Sequence, residues 1–147
     1  MSELYLQVGV KILLQNQAGK YLLIRRNPKK YPEVGPKWDI VGGRIDIGSS
    51  LMDNLAREVK EEVGLTITGQ PVLVGAQDIL NIEGYPGRHI VRLTYTGQVV
   101  EGEKIVIDEE SLEYNWFTKK EILALKPAEI DRYFADLIKQ NLLLREV

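Results

Sequence analysis

Strand-like segments fill the first third of the chain and helical periodicity enters only from the middle onward. That order predicts an α+β or α/β sandwich with a mixed sheet. Three observations carry the expectation: two branched-apolar runs split by a short turn, an amphipathic stretch closed by glycine, and a C-terminal apolar run at helical spacing. At 147 residues the chain is most simply one domain, residues 1–147, large enough to bury a real core. No internal repeat, low-complexity segment or linker interrupts it.

"LYLQVGVKILLQ" (Leu4 to Gln15) is rich in branched apolar residues, "NQAG" supplies a turn, and "KYLLIRR" returns as a second strand, so a hairpin is expected. A loop rich in proline, glycine and lysine, Asn27 to Lys37, leads into the short strand-like "WDIVGG"; loops of that length in a small domain are usually functional. A helix starting near residue 50 follows, then extended segments at Val72 to Ile82 and His89 to Val100. "YNWFTKKEI" joins a last strand to a helix start, and from Pro127 onward Ile130, Tyr133, Phe134, Leu137 and Ile138 recur at helical spacing.

Composition narrows the chemistry. The net charge of −2, with 44% hydrophobic and 27% charged residues, describes an ordinary globular chain with no general attraction for nucleic acid. Without cysteine there is no disulfide, thiolate zinc site or cysteine nucleophile, and the single histidine, His89, excludes multi-histidine metal sites. His89 lies in strand-like "RHIVRLTY", where a structural role is the base expectation. No signal pattern opens the chain and no apolar run approaches membrane-spanning length, so a cytoplasmic protein without membrane contact is the plain reading.

The informative stretch is "GGRIDIGSSLMDNLAREVKEEVGL", residues 42 to 65. Gly48 stops what precedes it, Ser49 or Ser50 can cap the helix, and Ser50 with Asp53 matches a capping box in acidic form. On a helical wheel Met52, Leu55, Val59 and Val63 form an apolar stripe, with Asp53 and Lys60 on the solvated side. Glu58 and Glu62 fall side by side at the stripe's border, with Glu61 flanking. Like charges at this spacing cost about 0.2–0.5 kcal/mol per pair, and a cation reverses the sign. Three carboxylates without histidine or cysteine nearby select a hard ion, Mg²⁺ before Mn²⁺ or Ca²⁺. Arg57, four before Glu61, can steady it without occupying the metal face. Glycines let backbone carbonyls approach an ion or phosphate closely, and Gly64 ends the helix. An incidental charge run on a solvated face is the bland alternative. The fixed offsets of Gly43, Arg57, Glu58, Glu61, Glu62 and Gly64 would arise by chance on the order of once in ten million starting positions.

These residues resemble the signature box of the Nudix hydrolase family, G-x5-E-x7-R-E-U-x-E-E-x-G-U with U apolar. Gly43 opens the box, Arg57-Glu58 supply RE, Val59 the first U, Glu61-Glu62 the EE, and Gly64-Leu65 the close; the first glutamate alone departs, falling on Ser49. The N-terminal hairpin, "KWDIVGG" and "EESLEYNWFTKKEI" are also similar to their Nudix counterparts, so the likeness covers most of the chain. It implies an α/β/α sandwich and hydrolysis of a nucleoside diphosphate linked to another moiety, with water attacking phosphorus and Mg²⁺ or Mn²⁺ bound. Nucleoside triphosphates, nucleotide sugars, ADP-ribose and dinucleoside polyphosphates all fit. By position, Glu58 and Glu62 resemble metal ligands, with Glu61 supporting or joining them and the Gly42 or Gly43 carbonyl completing the site. The base is left open between Glu58 and Glu110. The missing glutamate commonly pairs with the arginine that is here Arg57, which must then rely on Glu61, Asp46 or Asp53.

Around the box, "RRNPKK" fits both a clamp on substrate phosphates, led by Arg25 and Arg26, and a solvated basic loop. Trp38 and Trp116 can stack on a base, though strand-like sequence favours the core for both. Tyr85, in the glycine-rich "NIEGYPGRH" turn, is a candidate base or sugar contact beside the plainer reading as a turn. A nucleotide-type small molecule is the expected partner, and a homodimer is left open. The rival to the enzyme is a Nudix-fold nucleotide-binding or regulatory module whose catalysis Ser49 has weakened.

Overall fold

A computed structural model describes residues 4–29, 36–82, 84–141 and 143–144. Its elements run β1 (Tyr5–Gln15), β2 (Tyr21–Arg26), β3 (Trp38–Asp39), β4 (Val41–Arg44), α1 (Leu51–Val63), β5 (Ile67–Ile79), β6 (Arg88–Val99), β7 (Ser111–Phe117), α2 (Lys119–Leu123), a 3₁₀ turn (Pro127–Glu129) and α3 (Arg132–Lys139). The strands form one mixed sheet in the order β3-β2-β1-β6-β5, with β4 on β1 and β7 on β2.

The apolar runs of β1 and β2 are long because both faces of the sheet are covered. Val10, Ile12 and Leu14 of β1 and Leu22 and Ile24 of β2 join Leu55, Val59 and Val63 of α1 in one core. Leu13, Tyr21 and Leu23, on the alternate parity, join Ile122 of α2 and Phe134 and Leu137 of α3 in the other. A sheet with helices on each side is the α/β/α sandwich expected.

Three segments differ in detail from expectation. The turn after β1 forms, but β1 pairs with β2 only at Gln15 and Tyr21; β2 then leaves to pair with β7 along most of its length. The vacated edge of β1 is taken by β4, Gly9 to Ile12 against Val41 to Arg44, while the other edge pairs in parallel with β6. A second difference lies in β5, which begins at Ile67 and absorbs "GQP" through a register shift between Thr68 and Val72, the kind of irregularity at which a strand accommodates proline. The third is the last helix, which starts later than Pro127. That proline opens the 3₁₀ turn, Ile130 bridges to Trp38, and the Phe134 N–H donates to the Asp131 carboxylate at 2.9 Å to cap α3. Among the described residues no helix is long and apolar enough to cross a membrane.

Candidate functional site

The site lies where β4, inserted against β1, meets α1. Helix α1 starts as anticipated: the Asp53 N–H donates to Ser50 Oγ at 3.1 Å, and Gly64 closes the helix at φ 72°, its N–H donating to the Lys60 carbonyl. Leu55, Val59 and Val63 are fully buried. That anchoring rotates the glutamates to the rim, where they differ sharply. Glu62 is 2% exposed, whereas the Glu61 side chain is 57% exposed.

The glycine pair is sterically required. Gly42 sits at φ 152°, and a β-carbon there would fall 2.0 Å from the Val10 carbonyl oxygen; one on Gly43 would fall 2.6 Å from the Glu58 carboxylate. Without side chains, the 42–43 backbone lies directly against the half-buried Glu58 and the buried Glu62, and the Gly42 N–H points at Glu62 Oε2 across 3.4 Å.

The segment after β6 returns along the end of α1. The Val106 and Asp108 N–H groups donate to the Val63 and Glu62 carbonyls at 3.0 and 3.2 Å, and the Glu110 N–H donates to Asp108 Oδ1 at 3.1 Å. This carries Asp108 and Glu110 to the same cavity as the α1 glutamates, a pocket of about 670 Å³. Glu110, the second candidate base, thus lines the cavity. Asp108 was not anticipated.

Opposite the carboxylates is a second charged group. Lys11 Nζ lies 3.4 Å from Asp39 Oδ2 and donates to the Ile40 carbonyl at 3.2 Å. Arg92 donates to Asp39 at 3.1 Å and pairs with Asp131 at 3.4 Å, and Arg26 approaches Asp39 at 4.0 Å. All five of these residues line the cavity. Sequence reading missed Lys11, Asp39, Arg92 and Asp131. The signal was present, since Lys11 and Arg92 are lone cations inside apolar strands and a buried charge needs a reason.

The electrostatics of the two walls diverge. Burial pushes the Glu62 carboxyl up to about 7, with Lys11 and Arg26 opposing and Glu58 reinforcing the shift. Burial also raises Glu58, against the lowering influence of Arg57. Asp108 is raised by burial too. Asp39 is buried as deeply, yet Arg92, Lys11 and Arg26 overcome the desolvation and hold its carboxyl well below the usual range.

Among the described residues no three histidine, cysteine, aspartate or glutamate side chains gather into a ready metal-holding group. Arg57 steadies Glu61 and also reaches Glu58: its Nη1 lies 3.1 Å from Glu58 and 3.2 Å from Glu61. The two less exposed carboxylates, Glu58 and Glu62, have the Gly42–Gly43 backbone against them. That set fits Mg²⁺, which is usually held by one or two carboxylates and keeps waters and substrate phosphates for its other positions.

Other candidates fall elsewhere. Arg26 lines the cavity, but its neighbour Arg25 does not: Arg25 pairs with Glu113 at 3.0 Å, donates to the Pro36 carbonyl and lies over the Trp38 ring. Adjacent strand residues point to opposite faces, so the two arginines could not both serve the site. Trp38 packs edge-on against Phe117 at 4.9 Å and Trp116 against the α1-side core, so neither lines the cavity. Tyr85 is 53% exposed, stacks under Arg88 and is also outside it. His89 pairs with Asp78 at 2.7 Å, away from the cavity. Of the basic loop, Lys30 and residues 31–35 lie outside the described residues. For Arg57, the anticipated partners Asp46 (3.3 Å) and Glu61 are found and Asp53 is not.

A family profile described as NUDIX domain matches residues 5–138, and the chain belongs to that family. It is 28% identical over 134 residues to an NAD-capped RNA hydrolase NudC of Stutzerimonas stutzeri, a match covering 90% of this chain and 45% of that protein. A NudC of Pseudomonas aeruginosa is 26% identical over 135 residues, with the same coverage. The chain thus spans about half the length of these curated relatives. Among solved structures, the MutT protein from Methanosarcina mazei Go1 superposes with a TM-score of 0.77 at 27% identity, covering 95% of each chain. A MutT NUDIX hydrolase from Burkholderia pseudomallei shares the fold, with a TM-score of 0.74 at 23% identity over 92% of this chain and 98% of that one.

Proposed function

We propose that this chain hydrolyses a pyrophosphate bond in a nucleoside diphosphate-linked small molecule, with Mg²⁺ or Mn²⁺ held by Glu58, Glu62 and the Gly43 carbonyl. One observation carries the reading: the buried Glu62 and the half-buried Glu58, both with raised pKa values, line one cavity together with three cations, Lys11, Arg26 and Arg92. Burying Glu62 beside Glu58 is costly, which supports a glutamate wall that takes a cationic ligand.

When bound, the divalent ion screens the phosphate charge that repels a nucleophile and acidifies a water. The remaining work falls to the chain. Arg26, the least buried of the facing cations, supplies hydrogen-bond donors to phosphate oxygens at the far wall. Glu110 and Glu58 are the candidates to accept the proton of the attacking water, and both line the cavity. Arg57 restrains Glu58 and Glu61 from the solvent side. The NudC relatives, NAD-capped RNA hydrolases by name, support nucleotide-linked substrates as a class.

The test is release of phosphate, pyrophosphate or a nucleoside monophosphate from a panel of nucleoside triphosphates, nucleotide sugars, ADP-ribose, NADH and dinucleoside polyphosphates, each with Mg²⁺ and with Mn²⁺. Turnover of at least one is expected. No turnover on any substrate, alongside measurable nucleotide binding, sinks the enzyme in favour of a binding module.

A further inference from the structure

One buried polar side chain in α1 belongs to neither the apolar stripe nor the glutamate rim. Asn54 is completely buried, although asparagine is a weak helix former and a buried amide is costly unless every group is bonded. Its bonds are complete. Asn54 Oδ1 accepts from the Asp46 N–H at 2.9 Å and from Arg57 Nη2 at 3.0 Å, while Nδ2 donates to the Ser49 carbonyl at 3.1 Å and the Ser50 carbonyl at 2.6 Å. An amide has two donors and two acceptor positions, and all four are used on the loop before α1 and on Arg57.

The arginine is thereby held at two ends. Nη2 is fixed by Asn54 and Asp46, and Nη1 reaches Glu58 and Glu61. The resemblance implies a glutamate where this chain has Ser49, one that commonly pairs with this arginine. Here Ser49 contributes its backbone carbonyl, and it contributes it to Asn54.

We propose that Asn54 is a positioning residue that replaces the missing glutamate: it locks the 46–50 loop to Arg57, and through Arg57 sets where Glu58 and Glu61 sit. The proposal rests on the glutamate site being the working site. It explains how a chain with Ser49 keeps the rest of the box, since a neutral amide inside the helix does the tethering that a charged side chain would do from the loop. Asn54 touches no reacting atom, so its removal acts on the geometry of others.

The experiment compares Asn54→Ala, Ser49→Glu and the double variant, reading kcat, KM and Mn²⁺ affinity by electron paramagnetic resonance. Asn54→Ala should lower kcat and weaken Mn²⁺ binding, each by about tenfold or more, the usual scale for losing an outer-shell tether, while the substrate KM stays within about threefold. Ser49→Glu alone should change each quantity by less than about threefold, and in the Asn54→Ala background it should recover most of the loss in both. If Asn54→Ala does not fold, Asn54→Ser takes its place, because a helical serine bonds the carbonyl four residues back and keeps that group satisfied while releasing Arg57. A folded Asn54 variant with wild-type Mn²⁺ affinity and kcat overturns the proposal, as does a double variant no better than the single one. Wild-type protein that binds Mn²⁺ but hydrolyses nothing ends the enzyme reading alone, and the Mn²⁺ comparison still decides the role of Asn54. Wild-type protein that does neither ends both.

Discussion

The two walls of the cavity bury charge to similar depth and treat it in opposite ways. On the sheet side, Asp39 at 5% exposure is met by Arg92, Lys11 and Arg26, and its carboxyl stays ionised far below the ordinary range. On the helix side, burial of Glu62 at 2% exposure, reinforced by like-charged Glu58, outweighs Lys11 and Arg26 and pushes its carboxyl up to about 7. Burial is common to both, so the partner decides. The sheet wall is largely compensated from within, although Asp131, raised by burial and by Asp39, shows that its balance is not perfect. On the helix wall Arg57 pairs with Glu58 and Glu61, and Glu62 keeps a raised carboxyl. That contrast supports the proposal that the helix wall takes the ligand.

The largest expected effect breaks the sheet wall. Asp39→Ala leaves Lys11 and Arg92 buried without their shared carboxylate and should cost about 3–5 kcal/mol of stability, measured by urea unfolding. A loss below about 1 kcal/mol would show that the cluster is not the compensated unit described here.

Breaking the helix wall should have the opposite character, harming chemistry while sparing the fold. Glu62→Gln and Glu58→Gln each should lower kcat by about a hundredfold or more, since the amide keeps the shape and loses the charge the metal requires. Activity of both variants within about threefold of wild type would falsify the metal assignment.

A smaller effect sharpens the contrast through pH. The folded Glu62 value, about 7, lies above its ordinary 4.5, so the fold favours the protonated form. That contribution is complete below pH 4.5 and is lost as pH rises through about 7. Metal-free wild type should therefore lose stability across this window relative to Glu62→Gln, and at pH 8 the variant should melt higher, by about 2–4 °C per kcal/mol relieved. Saturating Mg²⁺ should raise the wild-type melting temperature and raise that of Glu62→Gln much less. Equal metal shifts in the two proteins would move the ion elsewhere. The smallest effect tests the cavity's edge: Tyr85→Ala, outside both walls, should leave kcat/KM within about twofold, and a larger loss in KM would bring that turn over the substrate.

Much of this was legible in the chain itself. The α1 segment was, because its cap, apolar stripe, glutamate rim and closing glycine all depend on contacts within a few residues, and helical geometry alone converts spacing into position. The two-sided sheet was legible in outline from the unbroken apolar runs of β1 and β2. Beyond that reach, only tertiary structure decided. That β4 rather than β2 lines most of one edge of β1 depends on pairing between segments about thirty residues apart, and this pairing brings Gly42 and Gly43 to Glu58 and Glu62. The exclusion of Arg25 and inclusion of Arg26 follow from which face of β2 meets the cavity, a choice that alternation leaves open until the neighbours are known. The Lys11–Asp39–Arg92–Asp131 cluster joins β1, β3, β6 and the start of α3, and no local pattern specifies which lone charges will share a buried volume. Local sequence determines where a side chain points along its own element; which charges meet across elements is settled only when the whole core closes around them.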